Sequence, residues 1–447
     1  MTGEFSNLEK TLIGLVLLGG ALVMFFPIQY LIVGLLVFAG LTFLLVNPKI
    51  CFYLVVFTIP FTERIRILPI SFSPNDIAIL ICFISACLNI FFKDKRVNLK
   101  TSIDAWMIIL TFLYFITGIT SVGETGILSS FKFFEAVIAF YLSIYFVRTK
   151  QITIAKIIKT IFITALFQAF LGVFQSLTGI GATFRSARGF WGYFGLGSNM
   201  VWHGMGTMGH FNMLGNFLIT ILLFSLPICY YLIKNKKSNH LITKTLFFGI
   251  ITTYSRGSLL GLTFGYFYFL FLTMKNKVKF YSISVISGLL VLFLKYYLSN
   301  TSYVETLSSR DDIWKGVIGG ILSNPRYLWL GGGLNSYEEV VYPYLPQNNT
   351  MWFAHNFYLL CVQEMGIIGT IIIFSFLIFI MIDTCKKFKT CSKLLSTISL
   401  STSLCVFSIF FISIYDHAYS LTFFKILLFI ILGIVYAKDK KIFTTAV

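Results

Sequence analysis

A few polar residues interrupt the long apolar stretches of this 447-residue chain, and their types could support chemistry on an anionic substrate. Arg256 stands in Ser255-Arg256-Gly257-Ser258, between two apolar runs. An arginine near membrane depth is costly unless it is paired or hydrated. It either snorkels to the headgroups or forms an anion site. In the second case its guanidinium forks onto phosphate oxygens, and the helix start at Gly257 adds N–H donors. His355 stands in Ala354-His355-Asn356-Phe357, where a long polar segment re-enters an apolar run. It is either a hydrogen-bonded structural residue or a general base, because imidazole titrates near neutrality.

Other polar residues fall near these two. Arg185 and Arg188 share a segment with Trp191, Tyr193, Phe194 and Trp202, aromatics that also suit an interfacial belt. Several arginines converging on one pocket would suit a diphosphate, and Arg310 is another candidate. His210 opens the apolar run after that segment, with Asn212 as an early polar group. Asn356 follows His355. Glu364 lies a little over two helical turns later, placed to pair with a base inside the bundle. Asp416-His417 reads as a tight surface turn. No phosphate-binding glycine loop, His-x-Glu metal pattern or external Asp-x-Asp pair occurs, so no metal and no cofactor is expected.

The elements that position these residues follow from composition. Hydrophobic residues make up 57% of the chain and charged residues only 12%, and the mean hydropathy is +0.85. Soluble domains carry about 25% charged residues. The apolar runs approach the roughly 20 residues that cross a bilayer as a helix. They lack the alternation of a barrel, and lipid-exposed backbone must be satisfied internally. The fold class is therefore all-α, a polytopic transmembrane bundle forming a single integral membrane domain over 1–447. The net charge of +18 does not indicate nucleic acid, because Lys and Arg flank apolar runs as the positive-inside rule expects. The partners are membrane lipids, with no nucleic acid. The eight cysteines sit in apolar runs or beside basic clusters and are expected as free thiols.

Basic clusters at Lys93–Arg96 with Lys100, Arg148–Lys159, Lys234–Lys237, Lys275–Lys279, Lys386–Lys393 and Lys438–Lys441 are separated by even numbers of apolar runs. Ahead of Lys93, spans are read near 11–26, 28–46, 48–61 and 74–92, with the first taken as an uncleaved span. Beyond it they fall near 104–121, 127–147, 157–178, 211–233, 241–254, 257–274, 280–298, 356–382, 395–415 and 418–437. This gives about 12–14 spans, both termini cytoplasmic, and a site facing outward. Thr62–Ser73, the 179–209 loop and the large 299–353 loop then lie outside. The large loop, between the spans near 280–298 and 356–382, is expected to carry short helices.

Four pieces together resemble the O-antigen ligase and O-antigen polymerase superfamily of bacterial envelope proteins. They are Gly206-Thr207-Met208-Gly209-His210-Phe211-Asn212 and Ser255-Arg256-Gly257-Ser258. The third is Ser309-Arg310-Asp311-Asp312-Ile313-Trp314 with Asn324-Pro325 and Gly331-Gly332-Gly333-Leu334-Asn335-Ser336-Tyr337. The fourth is His355-Asn356-Phe357-Tyr358-Leu359 with Glu364-Met365-Gly366-Ile367-Ile368-Gly369. Phe211 replaces the family's usual proline. The family's arginine shortly before Gly-Thr would fall near His203. The resemblance implies a metal-independent, inverting glycosyltransferase of the bacterial cytoplasmic (inner) membrane, active in lipopolysaccharide or other surface polysaccharide biosynthesis. It implies a glycan donor linked to polyprenyl (undecaprenyl) diphosphate, and an acceptor that is lipid A–core for a ligase or a growing glycan for a polymerase. Arg256 and His355 match the catalytic positions. Arg185, Arg188, His210, Asn212, Arg310, Asn356 and Glu364 are the candidate substrate-binding residues. A ligase, a repeat-unit polymerase, a transporter or flippase, and a scaffold subunit of an assembly complex all remain open at this point.

Overall fold

A computed structural model describes residues 37, 39–62, 65–67, 70–93, 97–186, 200–233, 235–274, 304–345, 354–417 and 420–438. The helices are α1 Ala39–Val46, α2 Pro48–Thr58, α3 Pro74–Lys93, α4 Asp104–Ile119, α5 Gly126–Arg148, α6 Ile154–Thr178, α7 Phe211–Tyr231, α8 Lys236–Ile251 and α9 Arg256–Thr273. They continue with α10 Val304–Leu322, α11 Pro325–Leu330, α12 Tyr337–Val341, α13 Phe357–Thr390, α14 Lys393–Tyr415 and α15 Thr422–Tyr436. Six of them (α3, α5, α6, α7, α13 and α14) are long and apolar enough to cross a membrane, and α4, α9 and α15 are shorter apolar helices. The chain is an all-α, multi-pass membrane bundle. The expected spans near 11–26 and 280–298, and most of the one near 28–46, lie outside the described residues.

Two expectations need adjustment. The segment near 48–61 is not a full span. Its helix α2 has 11 residues, about 16 Å at 1.5 Å per residue, and meets α1 at a 107° bend. Pro48 forces this bend, because the residue before a proline is driven out of the helical region. The loops at 62–73 and 179–209 hold small antiparallel ribbons. Strand β1 (Ile65–Ile67) pairs with β2 (Ile70–Phe72), and β3 (Thr183–Ser186) with β4 (Met200–His203). Strands this short leave almost no periodicity to read.

Helix α15 forms the centre of the bundle, with every residue from Phe423 to Ala437 buried. A helix that is apolar all round must be surrounded. Beside it, α14 carries buried Ser399, Ser401, Thr402, Ser403 and Ser408. Small hydroxyl residues let membrane helices approach closely, and Thr402 returns its hydroxyl to Ile398 O at 2.8 Å.

The ends of the helices sort into two poles, separated by the 23-residue α5, roughly 34 Å long. At one pole Arg148 donates to Asn98 O at 2.5 Å and Lys100 O at 3.0 Å. It also donates to Tyr436 O at 3.2 Å and Ala437 O at 3.0 Å, so a cation caps the carbonyl end of α15. Lys387 joins the same pole, 2.8 Å from Asp383 and 3.6 Å over the Tyr436 ring. Basic segments predicted to share one side of the membrane thus meet in space.

At the other pole the glycine run 331–333 is laid against a break in α13. Gly366 has φ 66° and ψ −177° inside that helix, a conformation that L side chains rarely adopt. Gly332 N donates to Gln363 O at 2.8 Å and Gly333 N to Glu364 O at 2.9 Å. Val122 N donates to Gly332 O at 2.9 Å, tying the α4–α5 turn to the same run. A backbone that breaks at membrane depth must have its groups satisfied by other protein groups. A Cβ on Gly366 would lie 2.2 Å from Trp329 O. Gly366→Ala should therefore cost on the order of 1–3 kcal/mol through overpacking and strain and lower the melting temperature in detergent. An unchanged melting curve would show that the docking does not need this glycine.

Candidate active site

His355 lies in the second pole with φ 46°, a strained conformation for a non-glycine residue of the kind that clusters at functional sites. Its neighbours hold it in place. Asn356 caps α13, its Oδ1 accepting from Leu359 N at 3.1 Å. Ala354 O accepts from Trp314 Nε1 at 2.9 Å, so α10 of the large loop fixes the entry into α13. The His355 ring stands 5.5 Å from the His417 ring at 68°.

Asp416 connects this pair to the rest of the bundle. Its Oδ1 accepts from His417 N at 2.7 Å and lies 3.3 Å from His417 Nδ1. Its Oδ2 accepts from Asn216 Nδ2 at 2.7 Å. Asn216 Oδ1 in turn accepts from Ser258 Oγ at 2.9 Å, which lies 2.8 Å from Ser255 Oγ. The relay is buried: Asn216, Ser255, Ser258, Asp416 and His417 are all less than a tenth exposed. Asp416 and His417 are therefore not a surface cap, as the sequence led us to expect. Two polar residues between apolar runs look like a turn, and only the fold reveals partners on α7 and just ahead of α13.

The relay ends at the Ser-Arg-Gly turn. Ser255 caps α9, its side chain accepting from Ser258 N at 3.4 Å, and Arg256 is the first residue of α9. First-turn N–H groups of a helix have no intrahelical acceptor and face anions favourably. The side chain of Arg256 lies outside the description, so the relay places its backbone alone. The turn is braced from the β3–β4 ribbon: His203 Nδ1 lies 3.0 Å from Thr253 O, and Gly204 N donates to Thr252 O at 2.9 Å. Buried His203, where the family's upstream arginine would fall, packs its ring on Phe211 and Tyr254.

The remaining candidates divide. Arg185 lies in β3 opposite Val201, and so in the ribbon that braces the Ser-Arg-Gly turn. Arg310 lies in α10. The side chains of both fall outside the description, and Arg188 lies outside the described residues. His210 is the N-cap of α7, its Nδ1 accepting from Asn212 N at 3.2 Å. Phe211 takes the first helical position, which the family's proline would also suit, and its ring stacks on His210 with centroids 4.4 Å apart. Glu364 accepts from Asn335 N at 3.0 Å, and both Lys425 and His417 act on it electrostatically. Lys425 was missed in the sequence. It is buried on α15, 4.9 Å over the Tyr114 ring, and a lone lysine in an apolar helix is itself a signal of function.

Donor atoms of His355, Asp416 and His417 all lie within 4.8 Å of one another, a spacing that could hold a metal ion. Both Asp416 oxygens already accept hydrogen bonds, which favours a hydrogen-bonded dyad over coordination. Burial works against the Asp416 charge. The hydrogen bond and charge of His417, with the charge of His355, outweigh it and hold the carboxyl below its ordinary value.

A multi-pass helical bundle with a buried imidazole–carboxylate cluster at the pole opposite its basic clusters suits interfacial chemistry. Residues 241–374 match the family model described as O-antigen ligase. Across that segment the chain is similar to the O-antigen ligase superfamily, as its motifs indicated, which supports a glycan-transferring ligase or polymerase. No curated protein matches the chain. The matched segment contains the Ser-Arg-Gly turn, the large-loop helices and His355, and it ends before Asp416.

Because the folded chain holds the Asp416 carboxyl below its ordinary value, the ionised group stabilises the fold above about pH 4. That contribution is lost as pH falls through the depressed value. Melting temperature should drop on acidification below about pH 4. Asp416→Asn should melt lower near neutrality and depend less on pH in the acid range. A variant as acid-sensitive as the parent would remove Asp416 from this role.

Proposed function

We propose that the protein transfers a glycan from a polyprenyl-diphosphate-linked donor to an acceptor at the outer face of the bacterial cytoplasmic membrane, acting as an O-antigen ligase-like enzyme. The observation that carries this reading is the buried relay Ser255–Ser258–Asn216–Asp416–His417, which brings the Ser-Arg-Gly turn and the His355 imidazole into one polar cluster. The positive-inside rule puts the Arg148–Lys387 pole in the cytoplasm and this cluster outside.

The reaction needs a base, a stabilised leaving group and a defined approach. His355 takes the proton of the acceptor hydroxyl as its oxygen attacks the anomeric carbon. The bond from that carbon to the diphosphate breaks, its electron pair leaves with the diphosphate, and in-line displacement inverts the configuration. The leaving group bears the developing negative charge and stays anchored by its lipid. Arg256, together with the N-terminus of α9, would stabilise it there, with Arg185 and Arg188 as further cations. Asp416 is a positioning residue: it fixes His417 and favours a positive charge on the adjacent imidazole. The large-loop helix α10, pinned through Trp314 to Ala354 O, would orient the acceptor. Lipid A–core is the acceptor this reading selects. No metal enters any step, because the proton and the charge are both met by side chains.

The test is incubation of the purified protein with lipid-linked oligosaccharide and lipid A–core, without nucleotide. Transfer should proceed and survive chelators. His355→Ala should lower it about 10²–10⁴-fold without altering the melting temperature. Arg256→Ala should cost about 10²–10³-fold, and Arg256→Lys should not restore it, since an ammonium cannot fork onto a diphosphate. Full activity in His355→Ala, or lipid-linked sugar crossing vesicles with no covalent product, would defeat the reading.

A further inference from the structure

A second polar site lies at the same pole and takes no part in the reaction just described. It is a cavity of about 300 Å³ lined by residues that include Phe61, Asn75, Asp76, Lys132, His210 and Phe423. Neither His355 nor Asp416 nor the Ser-Arg-Gly turn lines it. Helix α15 joins the two sites, since its first turn forms one wall and follows His417 by a few residues. The Gly-Thr-Met-Gly-His element forms another wall, through Met208, Gly209 and His210. This motif has no part in the base or leaving-group chemistry.

We propose that this cavity is a saccharide subsite that holds one neutral pyranose ring of a glycan substrate, an inference that rests on the glycan-transfer reading for its choice of ligand. Four observations carry it. The volume lies at the lower end of small-ligand pockets, roughly 300–1,000 Å³, which suits a single ring. The lining is amphipathic, as a pyranose is, with Phe61 and Phe423 for its C–H face and an ammonium, a carboxylate and an amide for its hydroxyls. The charge excludes a diphosphate. Lys132 is already paired with Asp76, so the cavity offers no uncompensated cation and a further anion would meet the Asp76 carboxylate. Finally, Asn75 is 3% exposed and its Oδ1 has no hydrogen-bond partner among the described residues. Its Nδ2 is fully engaged, with Val55 O at 2.8 Å and Thr58 Oγ1 at 2.9 Å. A buried acceptor left unsatisfied is costly, and a sugar hydroxyl would supply the missing donor.

Saturation-transfer NMR on the full-length protein in phospholipid nanodiscs tests this, with methyl α-glucopyranoside, methyl α-galactopyranoside and methyl N-acetyl-β-glucosaminide as probes. At least one probe should give a signal in the parent. Thr422→Phe, which fills the cavity from α15, should reduce that signal at least about fivefold, close to one kcal/mol. Asn75→Leu should reduce it similarly, and Thr422→Phe alone decides if Asn75→Leu melts early. His355→Ala should keep the signal, because that residue lies outside the cavity. Absence of signal from every probe, equal signals in parent and Thr422→Phe, or displacement of the sugar by inorganic diphosphate would overturn the subsite. In the transfer assay Thr422→Phe should raise the KM for one glycan substrate and leave kcat within about twofold. Transfer with unchanged KM values would overturn the subsite while the enzymatic reading stands. Probe binding without any transfer would do the reverse.

Discussion

A carboxylate buried among membrane helices has to be hydrogen-bonded on both oxygens, and Asp416 shows how much structure that requirement organises. The donors come from different places: Asn216 from the first turns of α7, and the backbone N–H of His417 from the residue that follows, whose imidazole Nδ1 lies 3.3 Å from the same carboxylate. Asn216 can donate correctly only because Ser258 fills its own acceptor. Three distant stretches of sequence are thereby held at one point. Removing one partner of such a buried charge typically costs roughly 3–5 kcal/mol, a large share of any domain's stability. The cluster therefore positions α7, α9 and the α14–α15 connection as well as the imidazoles.

The second constraint acts on the backbone. Where α13 breaks at Gly366, its exposed carbonyls at Gln363 and Glu364 are taken by N–H groups of the 331–333 run. The same run receives Val122 N, and the residue after it, Leu334, gives its N–H to Thr117 O. The large loop is thus woven into the α4–α5 turn and the start of α13. This is why His355, at the end of that loop, can hold a left-handed conformation: the strain is opposed by hydrogen bonds on both sides of it. A loop merely lying over the surface could not fix an imidazole in this way.

The bundle itself was legible because hydropathy and charge placement act residue by residue. The helices over 74–93, 126–148 and 357–390 follow directly from apolar runs bounded by polar or basic residues. The pairing of basic segments at one pole follows from parity. The helix start at the Ser-Arg-Gly turn was legible too, whereas the Ser255 and Asn356 caps emerge from the fold, although Ser and Asn before an apolar run are the residues that favour such a start. What could not be read is convergence. Nothing local in Asn216, which sits inside an apolar helix, tells that it faces Asp416 two hundred positions later. Asp416-His417 has the composition of a turn and the burial of a core. Lys425 was the missed opportunity, because its chemistry alone, a single ammonium in an otherwise apolar helix, marks it. The β3–β4 ribbon lies at the other extreme, with four-residue strands on either side of a long insertion.

The family match has a physical consequence of its own. It spans 241–374 and so includes the turn that carries Arg256 and the histidine proposed as base, yet the groups that orient them lie elsewhere. Asn216, Asp416 and His417 fall outside the matched segment, as do His203, which braces the turn, and α15, which carries Lys425. A segment of α8 to α13 taken alone would leave Ser258 without its asparagine and His355 without its carboxylate. Its helices would also lack α14, against which both α13 and α9 pack. The chemistry signalled by the short motifs is thus a property of the whole bundle. In the proposed reaction the motif residues would supply the reacting groups, and the flanking helices the low-dielectric setting in which a hydrogen-bonded imidazole and a helix N-terminus act strongly. The cavity beside His210 is likewise lined wholly by residues outside 241–374.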